Sequence, residues 1–282
     1  MMRLSTEFSC NSVIWISSLP DAEMGPTNRM VAAMESHSNE IGFGFQHIPI
    51  SSCSKLIALL DELALHASEH NMKPLIHFDT HGNKNSGLFV SGEEKFMSWG
   101  DLAEKLRIIN VYTKNNLAVV GATCYGLHAI KPINLNTATP FYLLLSPEDE
   151  VSVGYLEDNI PSFYRSLFEL GSIDSAYSRH ISERFKYFHC EKMLFIVIAR
   201  YISRQCKGKG GAARREHLLT EIFSQGLENT DENRKKIRKM LKHELRPDQS
   251  LIDRYAGKFL VGRQCSFNFS DLISFIEEKN NA

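Results

Sequence analysis

The chain has 282 residues, which is long enough for one large hydrophobic core or for a core domain with an appendage. Its 32 basic and 33 acidic residues give a formal net charge of −1, so the overall charge gives no reason to expect a nucleic-acid or membrane partner. Hydrophobic residues make up 43% of the chain and charged residues 23%, values that are ordinary for globular proteins and exclude wholesale disorder.

The amino-terminal residues contain the acidic Glu7 and no apolar run, so they do not resemble a secretory signal. The densest apolar stretch, 193–202, includes Arg200 and has about half the length of a membrane span. We therefore expect a soluble, cytoplasmic protein that does not enter a membrane. The six cysteines are scattered without any Cys-x-x-Cys pair, which predicts neither a structural zinc site nor a disulfide framework.

Strands and helices alternate in the first 180 residues. Strands are predicted at 12–19, 43–50, 74–81, 87–90, 116–124 and 141–145. Helices are predicted to begin at Thr27 or Asn28, at Ser54, at Ser98 and at Pro161. This alternation predicts an α/β fold with a mostly parallel sheet and helices on both of its faces.

The last hundred residues differ in character and predict a mainly helical extension, so we place the domain boundary between 1–182 and 183–282. The glycine- and lysine-rich segment 207–215 is predicted to be a flexible basic loop. The other signals are a buried helix, or a strand leading into a helix, at 185–203, a helix with a basic face at 231–246, and a terminal helix capped by Ser270. Because such a basic face is more often hydrated than bound, it does not indicate a nucleic-acid partner.

Two of the predicted strands end in turns that carry reactive side chains. One turn reads Asp79-Thr80-His81-Gly82, and the other reads Gly121-Ala122-Thr123-Cys124-Tyr125-Gly126. Neighbouring parallel strands end at the same edge of a sheet, where open α/β sheets bind their ligands. The sequence therefore predicts a thiol nucleophile and a base in one crevice.

A thiol that cleaves an amide needs a nearby base and preorganised donors for the developing oxyanion. His81 is the candidate base and Cys124 the candidate nucleophile. The backbone N–H groups of Gly82 and Cys124 are the candidate oxyanion hole, and Asp79 is a candidate for orienting His81. A glycine close to each reactive residue permits a tight turn and a close approach of backbone.

These two motifs, in this order, resemble the caspase-like cysteine peptidases, the clan that includes caspases, separase, gingipains and the bacterial CHAT domains. The segments 162–167 and 173–176 are also similar to a late helix of the CHAT domain, which makes CHAT proteases the nearest match. The resemblance covers roughly residues 10–180. The cysteine motif departs from the caspase pattern Gln-Ala-Cys-Arg-Gly, so cleavage after aspartate is not implied.

The resemblance implies a caspase-like fold and a cysteine endopeptidase that uses a dyad of His81 and Cys124 and needs no cofactor or metal. Its substrate would be a protein or peptide, and a regulatory protein partner would control its activation. CHAT-like proteases serve bacterial defence, including antiviral defence, and cell death, so the resemblance makes such a role plausible for this chain.

The resemblance also locates the pocket for the residue before the scissile bond. Two acidic segments would line this pocket, one after the first strand and one after the strand that follows the cysteine. The acidic residues of these segments suit a lysine or arginine side chain of the substrate. In that case the basic segment 207–215 would itself be cleavable. Alternatively, the two acidic segments are simply solvated loops. The four candidates are Asp21, Glu23, Glu148 and Asp149.

Three alternatives remain open from the sequence. His77, Asp79 and His81 project to one face of a strand, and with Cys124 they would complete the ligand set of a zinc-dependent hydrolase. The cysteine motif also lies one residue from the elbow of glutamine amidotransferases, whose histidine follows the cysteine in the chain. Finally, the site could be catalytically silent and the chain a binding module.

Overall fold

The computed structural model describes residues 4–281 as two compact units. The first unit comprises Ser5–Cys190 and Lys258–Arg263, and the second comprises Glu191–Gly257 and the chain from Gln264 onward. The strands are Ser12–Ser18 (β1), Gly44–Pro49 (β2), Pro74–Thr80 (β3), Gly82–Asn83 (β4), Gly87–Val90 (β5), Lys95–Met97 (β6), Ala118–Ala122 (β7), Leu143–Pro147 (β8) and Phe185–His189 (β9).

Ten α-helices accompany these strands in the described chain. They are Met24–Ile41 (α1), Cys53–Glu69 (α2), Trp99–Tyr112 (α3), Val153–Leu170 (α4), Ile173–Ala176 (α5), Cys190–Tyr201 (α6), Gly208–Ser224 (α7), Asp231–Glu244 (α8), Gln249–Phe259 (α9) and Phe269–Asn281 (α10). Among the helices in this described part, none is both long enough and apolar enough to cross a membrane.

The first unit is built on a six-stranded sheet with the order β2-β1-β3-β7-β8-β9. All neighbouring pairs are parallel except β8 and β9, which are antiparallel. Every residue of β3 and β7 is buried, as expected for parallel strands covered on both faces. The predicted α/β class with a mostly parallel sheet is confirmed.

The strand order places a topological switch point between β1 and β3. From β1 the chain passes outward to β2, and it then returns on the other side of β1 to form β3. Connections that leave two neighbouring strands in opposite directions open a crevice at the carboxyl ends of those strands. The crevice lies directly beside the turn that carries His81.

Helices cover both faces of this sheet, as predicted. The consecutive residues His77 and Phe78 of β3 point to opposite faces. The His77 ring bonds to Tyr164 of α4, whereas Phe78 borders the same apolar space as Leu102 of α3. On these faces α1 packs against α4, and α2 packs against α3.

Three predicted helix starts are wrong. The terminal helix α10 begins at Phe269, and the Asn268 side chain, rather than Ser270, accepts the backbone N–H groups of its first turn. The helix α1 begins at Met24 rather than at Thr27 or Asn28, because Pro26 is tolerated in a first helical turn. Likewise α4 contains Pro161 in its interior and begins eight residues earlier in the chain, where the Ser152 hydroxyl accepts the Tyr155 N–H at 3.3 Å.

The second unit is entirely helical, which confirms the prediction of a mainly helical extension. The predicted flexible loop 207–215 is wrong, because most of it lies in α7. Ala212 and Ala213 favour helix, and Leu219 further along α7 packs against a hydrophobic cluster with Ile237 and Leu241 of α8. The segment predicted as a strand leading into a helix is β9 followed by α6.

Candidate active site

The ends of β3 and β7 bring His81 and Cys124 to the same cavity. Asp79 pairs with Ala122 in the parallel register, so the residues that follow the two strands emerge side by side. The cavity has a volume of about 430 Å³, and His81 and Cys124 both line it. It lies at the carboxyl edge of the sheet beside the switch point, where doubly wound sheets bind ligands.

The two sequence motifs are in direct backbone contact at Gly82. A Cβ atom at this position would lie 2.1 Å from the Cys124 carbonyl oxygen and 2.5 Å from Thr123 Oγ1. No side chain fits into that space, so only glycine allows β4 to approach the turn that carries Cys124. Close packing against the Cys124 backbone therefore requires a glycine at position 82, directly after His81.

The Gly82 N–H points away from the hairpin partner of β4. The Phe89 N–H donates to the His81 carbonyl at 2.9 Å, which makes Gly82 and Leu88 a non-hydrogen-bonded pair of the antiparallel ladder. Donors in such a pair face outward. The orientation leaves the Gly82 N–H outside the hairpin, as the predicted role in an oxyanion hole requires.

Side chains from two other segments hold this hairpin in place. Trp99 Nε1–H donates to the Asn83 carbonyl at 3.1 Å, and His128 Nδ1–H donates to the Lys84 carbonyl at 2.8 Å. His128 belongs to the short helical turn that follows Cys124. The hairpin after His81 and the turn after Cys124 are thus tied to each other directly.

The Cys124 thiol is partly exposed and is held by the segment between β8 and α4. The Val151 N–H donates to Cys124 Sγ at 3.4 Å, and the thiol lies 3.7 Å from the Val151 carbonyl oxygen. The backbone of Val151 therefore fixes the position of the sulfur, and both residues line the cavity.

The chain turns sharply immediately after Cys124, which leaves the thiol at the tip of the turn. Tyr125 has a φ of 60°, a left-handed conformation that is uncommon outside glycine. Its N–H donates to the Asp149 carbonyl at 3.1 Å, and its hydroxyl donates to the Glu150 carboxylate at 3.2 Å. Such conformations persist where surrounding contacts enforce them, often at functional sites.

His81 is oriented by Glu23, a partner that the sequence assigned to the substrate pocket. His81 Nε2–H donates to Glu23 Oε2 at 2.6 Å, and each side chain is 51% exposed. Because the carboxylate can only accept, this bond places the ring proton on Nε2 and leaves the lone pair on Nδ1. His81 therefore has a nitrogen available to accept a proton.

Asp79 has a different hydrogen-bond partner from the one predicted. Its carboxylate accepts the Thr27 hydroxyl at 2.7 Å, so its hydrogen bond runs to α1 rather than to the His81 ring. Burial raises the pKa of Asp79 to about 6, with the Thr27 hydrogen bond acting in the opposite direction. Asp79 also lines the cavity that contains His81 and Cys124.

The four acidic residues predicted for the substrate pocket do not lie together. Glu23 lines the cavity, where it bonds to His81. Asp21, Glu148 and Asp149 are exposed and lie outside the lining of this cavity. The loops that carry them do reach the site, but through other residues, Ala22 on one side and Val151 on the other.

His77 lies in the core, away from the cavity. Its ring stacks on Trp15 with centroids 3.6 Å apart, and its Nδ1 bonds to the Tyr164 hydroxyl at 2.9 Å. Among the described residues, no three His, Cys, Asp or Glu side chains are placed to hold a metal ion. The proposed zinc ligands His77, Asp79, His81 and Cys124 thus do not converge on one point.

Burial of His77 predicts a loss of stability in acid. Its pKa falls from 6.5 to about 3 through burial, so the unfolded chain binds a proton below pH 6.5 that the fold excludes. Between pH 7 and pH 5, we expect the free energy of unfolding to fall by about 2 kcal/mol more in the wild type than in His77→Gln.

Urea unfolding at the two pH values measures this difference. The raised pKa of Asp79 stabilises the fold as the pH falls through about 6, and it does so in both chains, so it cancels in the comparison. Equal losses in the wild type and in His77→Gln would show that His77 does not drive the acid sensitivity.

Four of the remaining cysteines lie in less reactive surroundings. Burial raises the pKa of both Cys10 and Cys265 to about 11, and it also raises the pKa of Cys53. Cys190 is buried. Cys206 is partly exposed, like Cys124, and lies in the second unit, so it gives a comparison for Cys124.

Comparisons with known proteins add no family assignment. No protein-family model matches the sequence, and no curated protein matches it at a significant level. The function is therefore argued from the geometry of the site and from the resemblance of its two motifs.

Proposed function

We propose that this protein is a cysteine endopeptidase of the caspase-like type, with Cys124 as nucleophile and His81 as general base. The observation that carries the proposal is the shared cavity of His81 and Cys124, with Gly82 against the Cys124 backbone. Adjacent strand ends hold the two groups in one crevice, as nucleophilic catalysis by a thiol requires.

In the proposed reaction, His81 Nδ1 accepts the Cys124 thiol proton as Sγ attacks the scissile carbonyl carbon. The carbonyl oxygen becomes an oxyanion that receives the backbone N–H groups of Gly82 and Cys124. Collapse of this intermediate breaks the C–N bond, and the proton moves from His81 to the leaving amine. Water, deprotonated by His81, then hydrolyses the thioester and releases the acid product and the free thiol.

We further propose a cytoplasmic protein or peptide as substrate. All six cysteines are free thiols, as is usual in reducing compartments. The CHAT-like segments add a role in defence or cell death under the control of a regulatory partner, which remains an expectation from the resemblance.

Glu23 is expected to assist His81 only modestly. An exposed charge pair is typically worth at most about 1 kcal/mol, so Glu23→Gln should lower kcat/KM by about fivefold or less. Steady-state kinetics on one peptide substrate measures this change. Asp21→Asn, which removes an exposed acid outside the cavity, is the matched control and should leave kcat/KM unchanged. A loss of a thousandfold in Glu23→Gln would contradict the supporting role.

A peptidyl chloromethyl ketone tests the proposed function itself. Such a reagent needs both a substrate-binding cleft and an activated thiol, so the folded protein should be labelled at Cys124 and not at Cys206. Peptide mapping by mass spectrometry locates the label, and the urea-unfolded chain is the control for intrinsic thiol reactivity. Labelling that is equal at the two cysteines in the folded protein would contradict the proposal.

A further inference from the structure

We infer that the cavity beside Cys124 receives a lysine or arginine side chain of the substrate, with the Asp79 carboxylate as its counter-ion. The inference rests on the proposed function and names the substrate class of the same site. Asp79 is then the specificity-determining residue, in place of the exposed acids Asp21, Glu148 and Asp149.

The cavity has a buried floor and an exposed rim. Asp79 and Ala122 are 4% and 2% exposed and pair across β3 and β7, whereas Ala22 and Glu23 are exposed at the entrance. A side chain that enters past the rim therefore ends at the floor, next to Asp79.

The walls between rim and floor are apolar. Leu19 and Pro26 contribute from the segment after β1, and Val151 and Leu156 contribute from the segment that leads into α4. A lysine or arginine side chain has a long hydrocarbon stem and a charged end, so apolar walls above an acidic floor match it group by group.

The Asp79 carboxylate has no lysine or arginine partner among the described residues that line the cavity. Its neighbours are the neutral Thr27 hydroxyl, which donates to it, the neutral Trp15 indole, and the His81 ring, which interacts with it through charge. His81 is bonded to Glu23, and the nearby Arg29 of α1 is paired with Glu157 of α4. A buried carboxylate without a counter-ion is costly, and a substrate cation supplies the missing charge.

An apolar substrate side chain fits this arrangement poorly. It would cover the Asp79 carboxylate and supply neither a hydrogen bond nor an opposite charge. A substrate cation compensates the Asp79 charge, whereas an apolar side chain leaves this charge buried without compensation. The cavity is therefore expected to prefer the cation.

Two active-site-directed ketones that differ only in their last residue test this inference on the full chain. One carries lysine and the other norleucine, which has a similar stem without the charge. The second-order rate constant for labelling Cys124 should be about tenfold or more higher for the lysine probe in the wild type. In Asp79→Asn this ratio should fall to about one, because the lysine probe loses its counter-ion and the norleucine probe no longer covers a buried charge.

Two further variants define the role of Asp79. The variant Asp149→Asn removes one of the exposed acids and should keep the full preference for lysine. Ala122→Asp in the Asp79→Asn background returns a carboxylate to the paired floor position and should restore the preference, since both residues line the cavity. The ratio of the lysine and norleucine labelling rates can be measured in the wild type alone, so the preference for lysine is testable even when Asp79→Asn does not fold.

The contrary outcomes separate the two proposals. Equal or faster labelling of Cys124 by the norleucine probe in the wild type overturns the inference and leaves the peptidase proposal intact. An unchanged lysine preference in Asp79→Asn overturns the assignment to Asp79. Failure of both probes to label Cys124 overturns the peptidase proposal and the inference together.

Discussion

Cys124→Ala and His81→Ala are each expected to lower peptide cleavage by about a hundredfold or more, because each removes one half of the nucleophile–base pair. Neither side chain is fully buried, so the fold should persist in both variants. The measurement is the number of new amino termini that mass spectrometry detects after the protein is incubated with a mixture of denatured proteins.

Cys206→Ala is the matched control for these variants. Cys206 is also a partly exposed free thiol, but it lies in the second unit. Cleavage by this variant should equal cleavage by the wild type. The same set of new termini from Cys124→Ala as from the wild type would show that another group performs the reaction.

Gly82→Ala is expected to have an effect of similar size without touching either reactive side chain. The new methyl group would lie 2.1 Å from the Cys124 carbonyl oxygen, so β4 and the turn at Cys124 must move apart. A displacement of about 1 Å in a catalytic arrangement costs about a hundredfold in rate. The rate at which a peptidyl ketone labels Cys124 reports on the site, and the thermal unfolding temperature of the same variant reports on the fold.

Gly154→Ala is the control variant. It adds a methyl group at a position without close neighbours, so it distinguishes the loss of the contact between Gly82 and Cys124 from the general effect of a glycine-to-alanine change. Gly154 lies in α4 near the cavity, and no atom lies within 4 Å of the position that its Cβ would occupy. This variant should keep the wild-type labelling rate and gain up to about 1 kcal/mol of stability. A full labelling rate in Gly82→Ala would show that the contact does not position the site.

Local signals in the sequence were sufficient to predict the strands that carry the site. The apolar runs before His81 and Cys124 are strands because both faces of the sheet are covered, which requires continuous apolar sequence. The start of α3 also follows a local rule, since the Ser98 hydroxyl accepts the Asp101 N–H at 3.0 Å as an N-cap.

The partners of the site residues could not be predicted, because they are distant in the sequence. Glu23 lies 58 residues before His81, and Thr27 lies 52 residues before Asp79. Each contact depends on how the segment after β1 packs on the sheet, which no local pattern encodes. For the same reason, acidity alone could not distinguish Asp79 from the exposed acids that were expected to form the substrate pocket.

The early start of α4 shows how one local signal can obscure another. A proline often occupies the first turn of a helix, so Pro161 predicts a helix start at that residue. Ser152 carries the actual cap, and the helix continues through the proline. The missed turn matters because Val153 and Leu156 form part of the cavity wall.

The rate of alkylation of each cysteine by iodoacetamide at pH 7 tests the pairing of His81 and Cys124 most directly, because it needs no substrate. In the wild type we expect Cys124 to react about tenfold or more faster than the partly exposed Cys206. In His81→Ala this advantage should disappear while Cys206 keeps its rate. An unchanged rate at Cys124 in His81→Ala would show that the imidazole does not activate the thiol, and the proposed peptidase mechanism would be wrong.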